Sequence, residues 1–271
     1  MPGMPPPTLL IIKTGSTHDH IRERLGDFDD WIAAGLREGG AAAVQAHDAQ
    51  AGEPPLPPGD YAGVVLTGSH AMVSERAPWS EALVPWLQAA IEVGTPVLGI
   101  CYGHQLLAHA LGGEVDHHPE GVEIGTVTVQ RHPASGDDPL LGALPQRFPA
   151  QAVHWQSVRR LPPGAVLLAG SDHEAHHAFR IGERAWGVQF HPEFSDEALR
   201  AYLEGLGPAL AREGRDAQQI AAALQPTPEA ASVLPRFAQL ALADRLPPEV
   251  PASSMPRNRL RRAAGMAPWR G

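Results

Sequence analysis

The chain has little cysteine and no long apolar run. A single cysteine, Cys101, occurs among 271 residues, so no intramolecular disulfide can form and we expect a cytoplasmic protein. The apolar run near the N-terminus, residues 9–12, is too short for a signal peptide or a membrane span, so we expect no membrane association. A chain of this length can bury a full hydrophobic core without a disulfide or a metal.

Positive charge is also scarce over most of the chain. The formal net charge is −9, with 21 lysines and arginines against 30 aspartates and glutamates, which argues against a nucleic-acid partner. The exception is the C-terminal end, where arginines continue after the last acid, Glu249. We expect residues 246–271, which are rich in proline and arginine, to be a disordered tail.

Nucleotide motifs are missing, and the one metal motif is out of place. Neither a phosphate-binding P-loop nor G-x-G-x-x-G occurs, so we expect no nucleotide cofactor. His173, Glu174 and His177 match the H-E-x-x-H zinc pattern, which works only when both histidines share a helix face. Here the segment lies between two predicted strands, where the histidines would be about 13 Å apart. We therefore expect no metal and no other cofactor.

Apolar periodicity and Gly/Pro punctuation predict alternating strands and helices. The predicted strands are 8–13, 41–46, 61–67, 96–100, 122–130, 165–169, 175–181 and 185–190. The predicted helices are 29–38, 79–92, 102–111, 195–212, 216–224 and 227–243. This order implies a three-layer α/β fold whose central sheet is mixed but mostly parallel, with helices on both faces. We divide the chain into a Pro-rich leader (1–7), one α/β domain (8–212), a helical extension (213–245) and the tail (246–271).

The strongest local motif is residues 99–103 (GICYG), where a predicted buried strand meets a helix. It is a G-x-C-x-G form of the nucleophile elbow, which needs small residues two positions either side because the backbone is crowded there. Such a turn lifts the Cys101 sulfur above the carboxyl edge of the sheet, at a helix N-terminus that favours thiolate. The alternative is a buried structural cysteine, since free cysteines are commonly buried.

A second motif, residues 187–193 (GVQFHPE), supplies a base and an acid. Pro192 ends an apolar strand, so His191 and Glu193 protrude together at the end of that strand. If this strand shares a sheet with the one before Cys101, the His191 imidazole can take the thiol proton, and Glu193 can hold the imidazole in the productive tautomer. Judged alone, His191 is more simply a surface histidine and Glu193 a solvated acid.

Together these motifs resemble the class I, or triad, glutamine amidotransferase family, closest to the glutaminase portion of GMP synthetase and its stand-alone relatives. The resemblance covers about residues 8–212, and the segments 153–158 (VHWQSV) and 161–164 (LPPG) support it. It implies a flavodoxin-like fold in which Cys101 attacks the side-chain amide of glutamine. A γ-glutamyl thioester would form, ammonia would leave, and water would release glutamate.

Acyl transfer also needs donors for the oxyanion. The elbow supplies the Tyr102 backbone N–H, and the Gly68 and Ser69 amides fit the second donor, in a loop that resembles the family's Gly-rich oxyanion loop. That loop departs from the family at His70, where a proline is common. Two further side chains are candidates for contacts with the substrate: Gln105, by resemblance to a family residue, and His154.

Three hypotheses for function remain open. The first is a glutaminase that passes ammonia to a separate synthetase subunit, because residues 213–271 are too few for an ATP-using synthetase domain. The second is a peptidase or hydrolase acting on other γ-glutamyl compounds, which the same triad would serve. The third is a non-catalytic binding module that keeps the fold, against which the intact Cys, His and Glu set argues.

Overall fold

The structure, a computed structural model, describes residues 6–52 and 55–243. The strands are, in chain order, β1 (Thr8–Lys13), β2 (Ala43–Asp48), β3 (Gly63–Leu66), β4 (Val97–Ile100), β5 (Glu114–His117), β6 (Glu123–Arg131), β7 (Arg147–His154), β8 (Gln156–Arg160), β9 (Val166–Gly170), β10 (Ala178–Ile181) and β11 (Ala185–Val188). The helices are α1 (Asp19–Leu25), α2 (Phe28–Glu38), α3 (Pro78–Glu92), α4 (Tyr102–Ala110), α5 (Asp196–Arg212), α6 (Ala217–Ala222), α7 (Pro228–Ala231) and α8 (Val233–Ala243).

Nine of these strands form one sheet in the order β2-β1-β3-β4-β11-β10-β9-β6-β7. The first five are parallel neighbours, in the doubly wound order typical of flavodoxin-like folds. The remaining four continue the sheet with antiparallel pairs. A separate two-stranded sheet pairs β5 with β8. The predicted mixed, mostly parallel sheet with helices on both faces is confirmed.

Both faces of the sheet are buried, which follows from the apolar runs in its central strands. Along β1, Leu9 and Ile11 point to one face, whereas Leu10 and Ile12 point to the other, because side chains alternate along a strand. The first face packs against α2 and α8, and the second packs against α3 and α4. The result is the predicted three-layer arrangement, and its elbow strand β4 lies inside the sheet.

The structure also contains elements that the sequence patterns did not predict. These are α1, β5, β7 and β8. Three of them offer a weak signal: α1 buries a single side chain, Ile21, β5 is largely exposed, and β7 contains Pro149. A proline is tolerated in β7 because this strand lies at the edge of the sheet. The predicted helix at 227–243 is divided into α7 and α8 at Ser232.

The predicted start of α5 is confirmed in detail. Ser195 is its N-cap, and the Ser195 hydroxyl accepts a hydrogen bond from the Ala198 backbone N–H at 3.0 Å. Beyond α5, helix α8 packs Leu234 and Phe237 into the same core as the sheet. The division of the chain at residues 212 and 245 stays a prediction. Residues 1–5 of the leader and the tail at 246–271 lie outside the described residues.

Within the described part of the chain, no helix combines the length and the apolar character needed to cross a bilayer.

Candidate active site

Four neighbouring strands bring their carboxyl ends to one edge of the sheet. The strands are β1, β3, β4 and β11, and the residues that follow them face a common cavity of about 270 Å³. Ligands of open α/β sheets bind at this edge, because loops from adjacent strands converge there. Of the residues that the sequence singled out, the cavity is lined by Ser69, His70, Cys101, Tyr102, Gln105, His154 and His191.

The turn at Cys101 is strained, and it requires glycine at positions 99 and 103, as the sequence motif predicts. Cys101 has a φ of 49°, in a region that side chains with a Cβ rarely adopt. A Cβ added to Gly99 would lie 2.4 Å from the Gly103 carbonyl oxygen, and one added to Gly103 would lie 2.6 Å from the Leu66 Cβ. No side chain fits at either position without a shift of the backbone. The crowding therefore explains why both flanking residues are glycine.

His191 and Glu193 form a buried pair after β11. Nδ1 of His191 lies 2.8 Å from Oε1 of Glu193, and the two side chains are 3% and 0% exposed. Nε2 of His191 is also buried, and it has no hydrogen-bond partner among the described residues. The carboxylate thus holds one ring nitrogen, which leaves the other for a different group.

The charges around His191 favour its cationic form. Burial lowers the pKa of the His191 imidazole, but the negative charges of Glu193 and Cys101 outweigh that effect and raise the pKa to about 10. An imidazolium beside a sulfur is the arrangement that stabilises a thiolate.

Cys101 and His191 meet at Gly68. The position that a Cβ would take on Gly68 is 3.2 Å from Cε1 of His191 and 3.8 Å from the Cβ of Cys101, so both side chains lie against the same glycine. The Cys101 sulfur lies 3.8 Å from the Val153 carbonyl oxygen. Two segments about 90 residues apart in sequence are thus brought together, because β4 and β11 are parallel neighbours in the sheet.

The loop after β3 is oriented by two threonines. The hydroxyls of Thr14 and Thr67 both donate to the Gly68 carbonyl oxygen, at 3.0 and 2.9 Å. Because a trans peptide points its N–H opposite to its C=O, the Ser69 N–H is directed away from these threonines. The Tyr102 backbone N–H belongs to the first turn of α4, where intrahelical acceptors are lacking. Gly68 and Tyr102 thus lie next to Cys101, and Ser69 lines the same cavity. Their role as oxyanion donors stays a prediction.

Gln105 and His154 reach the cavity, but much of their hydrogen bonding is directed at the protein. The Gln105 amide nitrogen donates to the Gln156 carbonyl oxygen at 2.7 Å and to the Gln189 side chain at 3.0 Å. Nδ1 of His154 lies 3.0 Å from the same Gln156 carbonyl oxygen. Both side chains are buried.

Glu123, the first residue of β6, is a buried acid that the sequence patterns missed. Its carboxylate lies 2.8 Å from Nε2 of His154 and 3.0 Å from Nε2 of His177, and it accepts a hydrogen bond from the Ser171 hydroxyl at 3.0 Å. Burial raises the pKa of Glu123, but the two histidines more than offset this and hold the pKa well below its ordinary value. Glu123 therefore fixes the ring of His154. No local signal marks it, since its partners come from the end of β7 and from the connection between β9 and β10.

The zinc-like segment does not lie on a helix. Residues 173–177 lie in the connection between β9 and β10, although the strand predicted at 175–181 included the last three of them. His173 stacks on His118 with ring centroids 4.1 Å apart, whereas His177 contacts Glu123. In the described ranges, no group of three or more His, Cys, Asp or Glu side chains is arranged to hold a metal ion.

Aromatic side chains complete the cavity, and sequence reasoning missed them as well. They are Phe28, Trp155, Phe194 and Tyr202, together with the imidazole of His18. Phe194 directly follows the predicted acid, and His18 follows β1 at the same sheet edge, so both could have been found from the strand-end rule. Tyr202 carries no such signal, because it lies in the second turn of α5.

The strand order and the strained turn at Cys101 define a flavodoxin-like α/β protein with a thiol at the carboxyl edge of its sheet. The model of the class-I glutamine amidotransferase family matches residues 26–204, and the chain belongs to this family. Its members are amidotransferase and hydrolase enzymes.

Several curated relatives carry GMP synthase names. The GMP synthase [glutamine-hydrolyzing] of Thermomicrobium roseum is 40% identical over 141 residues, which are 52% of this chain and 25% of that protein. The one from Aeropyrum pernix is 35% identical over 209 residues, or 74% of this chain and 36% of that protein. The chain therefore spans only a minor part of these relatives. A γ-glutamyl-L-1-hydroxyisopropylamide hydrolase from a Pseudomonas species is 31% identical over 172 residues, with 59% of this chain and 56% of that hydrolase covered.

Solved structures show the same fold over most of the chain. A glutamine amidotransferase from Thermotoga maritima superposes with a TM-score of 0.66 at 23% identity, covering 88% of this chain and 97% of that one. One from Methylobacillus flagellatus gives a TM-score of 0.69 at 23% identity, covering 90% and 96%. At this identity the likeness establishes the fold alone.

Proposed function

We propose that the chain hydrolyses the side-chain amide of L-glutamine to glutamate and ammonia, with Cys101 as nucleophile. The observation that carries the proposal is the convergence of Cys101 and the His191–Glu193 pair on Gly68 at one sheet edge. Family membership supports it, since the family consists of amidotransferases and hydrolases.

In the proposed reaction, the Cys101 sulfur attacks the γ-carbonyl carbon and the C–N bond breaks. His191 donates its proton to the departing amine, which leaves as ammonia. Water then attacks the thioester carbon and gives up a proton to His191, so that the C–S bond breaks and glutamate is released. Glu193 keeps the imidazole in one orientation through both steps. The two steps together return Cys101 and His191 to their starting protonation.

Backbone donors would stabilise the oxyanion that forms in both steps. The candidates are the Gly68–Ser69 loop and the Tyr102 N–H, and one such donor is commonly worth about 2.7–4 kcal/mol. Gln105 would contact the substrate through its side-chain oxygen, because its amide nitrogen already donates two hydrogen bonds. His154, held by Glu123, would form a rigid wall of the same pocket.

The relatives favour two uses of this chemistry. The GMP synthases are named as glutamine-hydrolysing, and by analogy a separate synthetase chain would accept the ammonia produced here, in a cytoplasmic setting. The Pseudomonas hydrolase is named for a substituted γ-glutamyl amide, which favours a second candidate function: the hydrolysis of other γ-glutamyl compounds. The same three side chains would serve both.

The test uses the purified full-length chain with glutamine and measures glutamate and ammonia. Cys101→Ala and His191→Gln should each lower kcat by at least about 10³-fold, as losses of groups that act as a unit do. A chloroketone analogue of glutamine should alkylate Cys101 in the wild type, as read by mass spectrometry.

His109→Gln is the matched control. His109 also pairs with a carboxylate, Glu81, at 2.9 Å, but this pair lies outside the cavity, so the variant should retain full activity. Circular dichroism checks that each variant is folded. Near-normal turnover by folded Cys101→Ala would refute the nucleophile assignment, and an absence of both turnover and alkylation in the wild type would refute the function.

A further inference from the structure

The cavity beside Cys101 is lined by chemically different groups of side chains. The amide groups are those of Gln105 and Gln156. A second group, of apolar and ring side chains, is here called the aromatic wall. It consists of His18, Phe28, His70, Phe194, Tyr202 and Leu206. Among the described residues that line the cavity, none is Asp, Glu, Lys or Arg.

The rings of the aromatic wall contact one another from end to end. Phe194 stacks on His191 with ring centroids 4.1 Å apart, and it lies 5.3 Å from Tyr202 and 6.0 Å from Phe28. Farther out, His18 lies 5.2 Å from Tyr202. The wall therefore begins at the proposed proton donor and continues through Phe194 and Tyr202 to His18.

The phenol hydroxyl of the wall is already engaged within the protein. The Tyr202 hydroxyl accepts a hydrogen bond from Thr17 at 2.8 Å and lies 3.2 Å from Nε2 of His70. His18 stacks on His70 with ring centroids 4.4 Å apart. What the wall offers a ligand is thus chiefly ring surface, which binds apolar or aromatic groups.

The position of His191 decides which part of a substrate meets this wall. Under the proposed mechanism, on which this inference rests, His191 protonates the departing nitrogen, so that nitrogen must lie next to the imidazole. A substituent on it then extends along Phe194 and Tyr202. Ammonia, the leaving group from glutamine, would leave the wall uncovered.

We propose that the aromatic wall is a subsite for the leaving group, and that the chain acts on γ-glutamyl amides of small, uncharged, apolar or aromatic amines. Phe194, Tyr202 and Leu206 determine this specificity. The cavity of about 270 Å³ limits the substituent to a short alkyl or single-ring group. The chemistry is unchanged: the C–N bond breaks, His191 donates its proton to the nitrogen, and the free amine leaves in place of ammonia.

The test compares kcat/KM for glutamine with kcat/KM for γ-glutamyl amides of isopropylamine, benzylamine, β-alanine and putrescine. The first two amines carry apolar substituents, whereas the last two carry a carboxylate and an ammonium. We expect the apolar amides to exceed glutamine by about tenfold or more, since one methylene in an apolar pocket is worth about 10–200-fold. The charged amides should fall below the apolar ones by at least the same factor.

Leu206→Trp tests where the substituent binds. Leu206 lies on α5, one turn beyond Tyr202, and a larger side chain there fills the wall. We expect the ratio of kcat/KM for the benzylamide to that for glutamine to fall at least about tenfold. Glu204→Gln, an exposed position of the same helix, is the matched control and should keep the wild-type ratio.

The outcomes separate this inference from the proposed function. Hydrolysis of glutamine with no gain for the apolar amides, or with equal activity on charged ones, would overturn the subsite and leave the function intact. A ratio unchanged in folded Leu206→Trp would overturn it as well. Failure on every amide would instead remove the function on which the inference rests.

Discussion

His191 and Glu193 illustrate what single residues reveal in this chain. They are two positions apart on either side of a proline, so their 2.8 Å contact is largely a local property, and the motif predicted it. Tyr202 and Glu123 are different, because each gains its place only when distant segments fold together. Sequence patterns could name the side chains proposed to react, but not the ones that line the cavity or hold them in place.

The charge balance at His191 leads to a prediction about titration. Its pKa is raised from 6.5 to about 10, partly by the negative charge of Cys101, so Cys101→Ser should lower it by removing that charge. NMR titration of the His191 ring in both proteins measures the two midpoints. An unchanged midpoint in the serine variant would show that the sulfur carries no charge beside the imidazole.

The same shift has a consequence for stability. Because the folded pKa is the higher one, the stabilisation from His191 is complete below about pH 6.5 and is lost as the pH rises toward 10. Urea titrations across this range should show a steeper loss for the wild type than for Cys101→Ser. A steeper loss in the variant would contradict the direction of the shift.

Helix α4 and strand β1 are elements whose bounds follow from local sequence patterns. Its start at Tyr102 follows from the glycines of the elbow, and β1 has the bounds that its apolar run predicts. By contrast, β5 and β8 are largely polar, so no periodic apolar pattern indicates that these two strands pair. Their pairing arises only when the chain folds, so the sequence of either strand alone does not predict it.

Two helical glycines should respond in opposite directions to alanine. Gly103→Ala would bring a Cβ to 2.6 Å from Leu66 and 2.7 Å from its carbonyl oxygen, so we expect a loss of about 1–3 kcal/mol in the free energy of unfolding. Gly205→Ala in α5 meets only Cε1 of His20, at an ordinary contact distance of 3.8 Å, and should stabilise by about 0.5–1 kcal/mol. Urea denaturation measures both. Equal effects of the two changes would show that the crowding at the elbow is relieved by relaxation.

At the scale of the whole molecule, the core includes helix α8, which follows the family-matched segment in sequence. Helix α8 begins well after residue 204, where the family match ends, yet it covers one face of the sheet together with α2. Its amphipathic pattern predicted a helix, but not the face on which it packs, because either face of a buried sheet is apolar. The proposed extension thus includes a helix that contributes to the core.

Phe237→Ala should show how much this helix contributes. Phe237 is fully buried and packs near Trp186 and Gly63, so its removal should cost about 3–5 kcal/mol in the free energy of unfolding. Gln239→Ala, an exposed position of the same helix, should change it by less than about 0.5 kcal/mol. Similar small effects from both changes would show that α8 is not integral to the core.

Cys101 is the only thiol that this chain possesses, and it faces the cavity. Any thiol-directed dye or spin label must therefore attach at that one place, with no need to remove competing cysteines. Protection of the thiol by a candidate compound then reports directly on occupancy of the pocket. Ligands could be screened in this way before any product assay exists, even for compounds that bind without reacting.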